Sequence, residues 1–127
     1  AFGYAMGQLP QQPQQFTADA DVVAAIARAA ESVGLTTKTG LIVSGDQFIA
    51  SDAAKQHIVE IYPDALAAEM EGAAIGQVAT QFNTPFVVIR AMSDTADGDA
   101  GQSFDEFIVD AGKRSAQMLL AYIHQLN

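Results

Sequence analysis

The chain has 127 residues, long enough for one small domain with a core of its own. Hydrophobic residues make up 50% and charged residues 17%, which excludes a disordered chain. Net charge is −9, and the six cations (Arg28, Lys38, Lys55, Arg90, Lys113, Arg114) are scattered, so no basic stripe exists to track nucleic acid or an anionic membrane. No apolar run approaches the ~20 residues that span a bilayer, and no signal-peptide pattern opens the chain. Without cysteine there is neither a disulfide framework nor a thiolate metal site, which is compatible with a cytoplasmic location.

Residues 1–18 hold Gln8, Gln11, Gln12, Gln14 and Gln15 with Pro10 and Pro13, and read as an irregular arm. From Asp19 the spacing of Val22, Val23, Ile26, Ala30 and Val33 predicts a helix that stops at Gly34. Leu41-Ile42-Val43 is a short apolar run between glycines and suits a buried strand. Asp52 opens a second helix, ended by Pro63. Ala65–Ala68 reads as a small-residue strand that leads into a helix from about Glu71 to Phe82. Phe86-Val87-Val88-Ile89, β-branched and aromatic, is the clearest strand signal of all. Ser93–Gln102, with Asp94, Asp97 and Asp99 among glycines, is a loop. Ser103 and Glu106 make a capping-box pattern before a long helix. The apolar stripe expected along that helix is Phe104, Phe107, Ile108, Ala111, Met118, Leu119, Tyr122, Ile123 and Leu126.

Strands alternating with helices predict an α/β fold with a largely parallel sheet. Ligands in such sheets bind beyond the carboxyl ends of the strands, which here means Ser44–Ser51, Glu69–Glu71 and Ser93–Gln102. Each loop sets acids beside apolar or aromatic residues, a mixture suited to a neutral, flat, hydroxylated ligand. Glu69 and Glu71 have two readings. Acids at a helix N-terminus favour the macrodipole and face water; alternatively, one of them accepts hydrogen bonds from sugar hydroxyls. Asp94 either starts an Asx turn or acts as a general acid held in a partly dry cleft. Phe48 in its glycine-flanked loop reads on pattern as a core plug. The Asp94, Asp97, Asp99 spacing does not match a calcium loop, so no metal is assigned. His57 and His124 stand alone on helices and read as surface residues, and Arg90 as an ion-pair partner at a strand end.

Five segments together carry a resemblance. They are Phe2-Gly3-Tyr4 with Gly7-Gln8-Leu9-Pro10, Val43 to Ile49, Ala68-Glu69-Met70-Glu71-Gly72-Ala73-Ala74, Arg90 to Asp97, and Ser103 to Phe107. In this order they resemble the 5′-methylthioadenosine/S-adenosylhomocysteine nucleosidases. The resemblance implies the nucleoside phosphorylase-like α/β/α fold, a homodimer, no cofactor, and hydrolysis of an N-glycosidic bond that releases adenine. Asp94 would protonate N7 of adenine, with Ser93 orienting it. A carboxyl there also favours a 6-amino purine over a 6-oxopurine. Glu71 would bind the ribose hydroxyls and stabilise the oxocarbenium ion. Phe48, the backbone of Ile49, Glu69, Met70, Ala96 and Phe104 would line the nucleoside pocket, while Phe2 and Pro10 would serve the neighbouring subunit's pocket.

The resemblance covers about the C-terminal half of that family's fold. The family's water-activating glutamate and several strands lie upstream, so residues 1–127 alone are expected not to complete hydrolysis. Two alternatives stay open: a phosphate-dependent purine nucleoside phosphorylase of the same superfamily, and a non-catalytic half-domain.

Overall fold

A computed structural model describes residues 3–92 and 104–127, the latter segment with Phe104 known only as the first helical position. Six elements follow one another: α1 (Ala20–Ser32), β1 (Leu41–Ser44), α2 (Asp52–Ile61), β2 (Ala65–Glu69), α3 (Gly72–Gln81) and α4 (Phe104–Gln125). They fall into two compact units. The first is Ala1–Asp19 with Thr39–Val87, and the second is Ala20–Lys38 with Val88–Asn127.

The first unit is built around β1-α2-β2, with β1 and β2 paired in parallel. Ser51 caps α2, its hydroxyl accepting from the Ala54 amide at 3.2 Å, so the helix opens at Asp52 as expected. It ends one residue before Pro63, at the cap residue Tyr62. The strand register is Leu41↔Ala65, then Ile42↔Ala67, Val43↔Ala68 and Ser44↔Glu69. The irregularity between Leu41 and Ile42 leaves Leu66 as the extra residue. Its side chain lies over Gly40, where a Cβ would come within 2.5 Å of Leu66 Cδ1. α3 follows β2 and packs on β1. Gly76, buried on α3, lets two aromatic side chains close on the helix: a Cβ there would stand 3.0 Å from Phe16 Cβ and 3.1 Å from Phe86 Cζ.

The arm is irregular, as expected, but organised. Gln8 takes the Ala5 amide on its side-chain oxygen and gives its amide hydrogen to the Gln12 carbonyl, while Gln14 donates to the Met6 carbonyl. The same carbonyl accepts the Tyr62 hydroxyl at 3.0 Å, which ties the arm to the end of α2. The glutamines thus supply the hydrogen bonds that a proline-containing backbone cannot make for itself.

In the second unit α1 packs against α4. Ile26, Ala29 and Ala30 of α1 and Met118 of α4 are buried, so small residues at helical spacing bring the two helices close. α1 stops as Gly34 predicts: with φ at +77°, its amide donates to Glu31 and that of Leu35 to Ala30, the paired bonds of a Schellman ending. α4 departs from its expected stripe. Phe107, Ala111, Ser115, Met118, Ala121 and Tyr122 are buried or half-buried, while Ile108, Leu119, Ile123 and Leu126 are exposed. A partner helix with an alanine face takes a narrower seam than hydrophobic spacing alone indicates.

One expected strand is not formed. Phe86–Ile89 carries no strand assignment, and among the described residues β1 and β2 pair only with each other. The Phe86 carbonyl accepts the Asp19 amide at 2.9 Å, a bond to a segment that is not a strand. The β-branched and aromatic composition of Phe86–Ile89 encodes a fit to a pleated surface, and a strand also needs a ladder partner.

Candidate active site

The parallel register puts Ser44 and Glu69, the last residues of β1 and β2, side by side at the carboxyl end of the sheet. The Gly45 amide donates to the Glu69 carbonyl at 3.0 Å and closes the two strand ends together. Two of the three loops expected to form a site are therefore adjacent, where α/β proteins bind ligands.

Glu69 turns toward the start of α3. Its carboxylate accepts from the Gly72 amide at 2.8 and 2.9 Å, from the Glu71 amide at 3.1 Å, and from the Ser44 hydroxyl. The Ser44 oxygen in turn accepts the Ala73 amide at 2.9 Å. A helix begins with unpaired amides and a positive dipole end, and a carboxylate satisfies both. Gly72 is buried directly beneath this group, where a Cβ would meet Glu69 Oε1 at 2.9 Å. The Glu69 carboxylate thus caps α3, as the dipole reading expects of an acid at a helix start.

Glu71 is different. It occupies the N-cap position of α3, yet its side chain makes no capping hydrogen bond. Its backbone is held at both ends, the amide by Glu69 Oε2 and the carbonyl by the Ile75 amide at 3.2 Å. The residue is exposed, as is Met70 beside it. Phe48 is 82% exposed, which overturns the core-plug reading and leaves a bare aromatic ring beyond the end of β1. Ile49 is half-buried and Pro10 exposed. Glu69, Glu71, Met70, Phe48, Ile49 and Pro10 all belong to the first unit. Ser93, Asp94, Ala96 and Phe2 lie outside the described residues, as does the side chain of Phe104. His57 and His124 are exposed, in agreement with a surface role.

Sequence reasoning placed Ser44 in a strand-end loop but did not foresee its bonds to Glu69 and to the Ala73 amide. The available signal was its place as the last residue of a strand followed by glycine, which puts a hydroxyl at the sheet's carboxyl end.

A parallel βαβ unit with an acid-bearing helix start at its strand ends is the arrangement at which α/β proteins bind ligands. Comparison with known proteins gives the family: residues 1–124 match the phosphorylase superfamily, and the chain belongs to it, with a nucleoside phosphorylase-like fold. A 5′-methylthioadenosine/S-adenosylhomocysteine nucleosidase from Shewanella pealeana is 49% identical over 127 residues, covering 99% of this chain and 55% of that protein. Among solved structures, one assigned as a methylthioadenosine nucleosidase from Weissella paramesenteroides superposes with a TM-score of 0.96 at 49% identity, over 99% of this chain and 54% of that one. The S-adenosylhomocysteine nucleosidase of Streptococcus pyogenes, in complex with 5-methylthiotubericidin, gives 0.83 at 44% identity, over 99% and 53%. The chain thus spans about half the length of the relatives it matches. Among the described residues no helix is long and apolar enough to cross a membrane.

Proposed function

We propose that the chain carries the nucleoside-binding face of an enzyme that hydrolyses the N-glycosidic bond of 5′-methylthioadenosine and S-adenosylhomocysteine, releasing adenine and the 5-thio-substituted ribose. The observation that carries this reading is the placement of Glu71. It stands at the N-cap of α3, at the carboxyl end of a parallel strand pair, with its helix capped by other residues. A carboxylate there accepts the ribose hydroxyls and then faces positive charge as the sugar becomes an oxocarbenium ion. Such a fixed charge favours the transition state over the ground state.

The remaining roles follow the family resemblance. Asp94 donates a proton to N7, so that adenine leaves as a neutral base instead of an anion, and Ser93 orients it. Phe48 stacks on the purine, the Ile49 backbone reads its polar edge, and Glu69 supports the sugar side by holding the loop of Met70 and Glu71. Ala96 and Phe104 complete the pocket, and the apolar lining suits a thioether. Phe2 and Pro10, with the arm, serve the partner's pocket in a homodimer. No residue within 1–127 is assigned to activating water. The reaction belongs in the cytoplasm, where it serves methionine salvage and needs no cofactor or metal.

The test is adenine release from 5′-methylthioadenosine by the complete natural polypeptide that carries residues 1–127, in phosphate-free buffer. Release is expected without phosphate. Release only on adding phosphate, with a sugar phosphate as second product, assigns the chain to the phosphorylases instead.

A further inference from the structure

We propose that Ser44 is a positioning residue for Glu71, acting through Glu69 and the first turn of α3. This inference rests on the sugar-binding role proposed for Glu71. One hydroxyl bridges three elements. From the end of β1 it donates to the carboxylate at the end of β2 and accepts the Ala73 amide of α3 at 2.9 Å. A hydroxyl has a single hydrogen to donate, so these two bonds set its orientation. Glu69, held on one oxygen by Ser44, spans the Glu71 and Gly72 amides with both oxygens.

Helix α3 is therefore capped from outside, by a residue two positions before its N-cap and by another on the neighbouring strand. The usual cap, a side chain at the N-cap itself, is not used. The consequence for Glu71 is geometric. Its amide is fixed by Glu69 and its carbonyl by Ile75, so the direction in which its side chain leaves the backbone depends on the clamp. Without the Ser44 hydroxyl, the Ala73 amide loses its partner and Glu69 can turn on its own side-chain bonds. The amide of Glu71 then follows a carboxylate that no longer has one position. A carboxylate that must meet a developing charge loses effect quickly when misplaced.

The measurements are steady-state kinetics with 5′-methylthioadenosine and the inhibition constant of adenine alone, on the complete natural polypeptide. Ser44→Ala is expected to lower kcat about tenfold, the loss of one hydrogen bond to a charged group, while adenine, which lacks the sugar, inhibits within about twofold of the parent. Ser44→Thr, which keeps the hydroxyl, is expected to recover most of the lost rate. Combined with Glu71→Gln, Ser44→Ala should cost nothing further, because the residue it positions has already lost its charge. Equal weakening of adenine and nucleoside, an unchanged kcat, or a full additional loss in the Glu71→Gln background would each overturn the role of Ser44. Should Ser44→Ala fail to fold, Ser44→Thr decides alone: kinetics near the parent support the clamp, and a deep loss of kcat despite the hydroxyl rejects it. Glu71→Gln by itself separates the two ideas, since full turnover there removes the proposed role of Glu71 whatever Ser44 does.

Discussion

Replacing Asp94 by Asn is expected to reduce adenine release by ~10²–10⁴-fold, the range for a general acid in the rate-limiting step. Asparagine keeps the size and can still donate to N7, so the KM for 5′-methylthioadenosine should stay within a few-fold. What it cannot do is transfer the proton, and adenine then has to leave as an anion. The pH profile gives an independent check. A general acid works only when protonated, so the parent rate falls as pH rises through the pKa of that acid, and the variant should lack that alkaline fall. A variant within a few-fold of the parent rate would refute the assignment of Asp94.

For Glu71→Gln the expected result is a kcat lower by ~10²–10³-fold with binding largely intact, comparable to removing one preorganised charge-stabilising group. Glutamine preserves a hydrogen-bonding side chain for the ribose hydroxyls but carries no charge to set against the oxocarbenium ion. Both polar backbone groups of Glu71 are held by neighbours, so the start of α3 should survive the change. Stability should fall by no more than ~0.3–1 kcal/mol, the value of a negative charge at a helix N-terminus. Kinetics and a thermal melt on the same preparation separate lost chemistry from lost folding. Unchanged turnover would reject the role given to Glu71.

These two residues also mark where the sequence was readable and where it was not. The elements with their own start and stop signals were legible: Gly34 ends α1 with a positive φ, and Pro63 ends α2. Local chemistry specifies such boundaries without knowledge of partners. Phe86–Ile89 shows the opposite case, because strand formation depends on a neighbour that the segment's own residues do not encode. The stripe of α4 was read too wide for a similar reason, since the alanines of α1 determine how much of it is covered. Within the candidate site, the position of Glu69 and Glu71 at a helix start was evident from order alone. Which of the two caps the helix was not. It depends on a parallel register that sets Ser44 beside Glu69, a contact across 25 residues of chain. A side chain's partner at that separation is a property of the fold.

Gly34→Ala offers a simple check on the second unit. A Cβ at φ +77° costs about 1–2 kcal/mol, so the denaturation midpoint should drop while adenine inhibition stays unchanged. A midpoint equal to the parent's would show that the turn relaxes to another conformation without cost.

The extra residue at Leu66 has a bearing on how this stretch of chain can vary in length. Beyond it, Ile42, Val43 and Ser44 keep step with Ala67, Ala68 and Glu69. Because strand side chains alternate, sliding β2 by one position would turn Glu69 to the opposite face of the sheet, away from Ser44. Leu66 over Gly40 opposes such a slide. Insertions or deletions between Gly40 and Ala73 are therefore tolerated only where they leave that pairing in step, as in the loop before Ser51, whereas the residues from Ala65 to Ala73 admit substitution more readily than any change in their number.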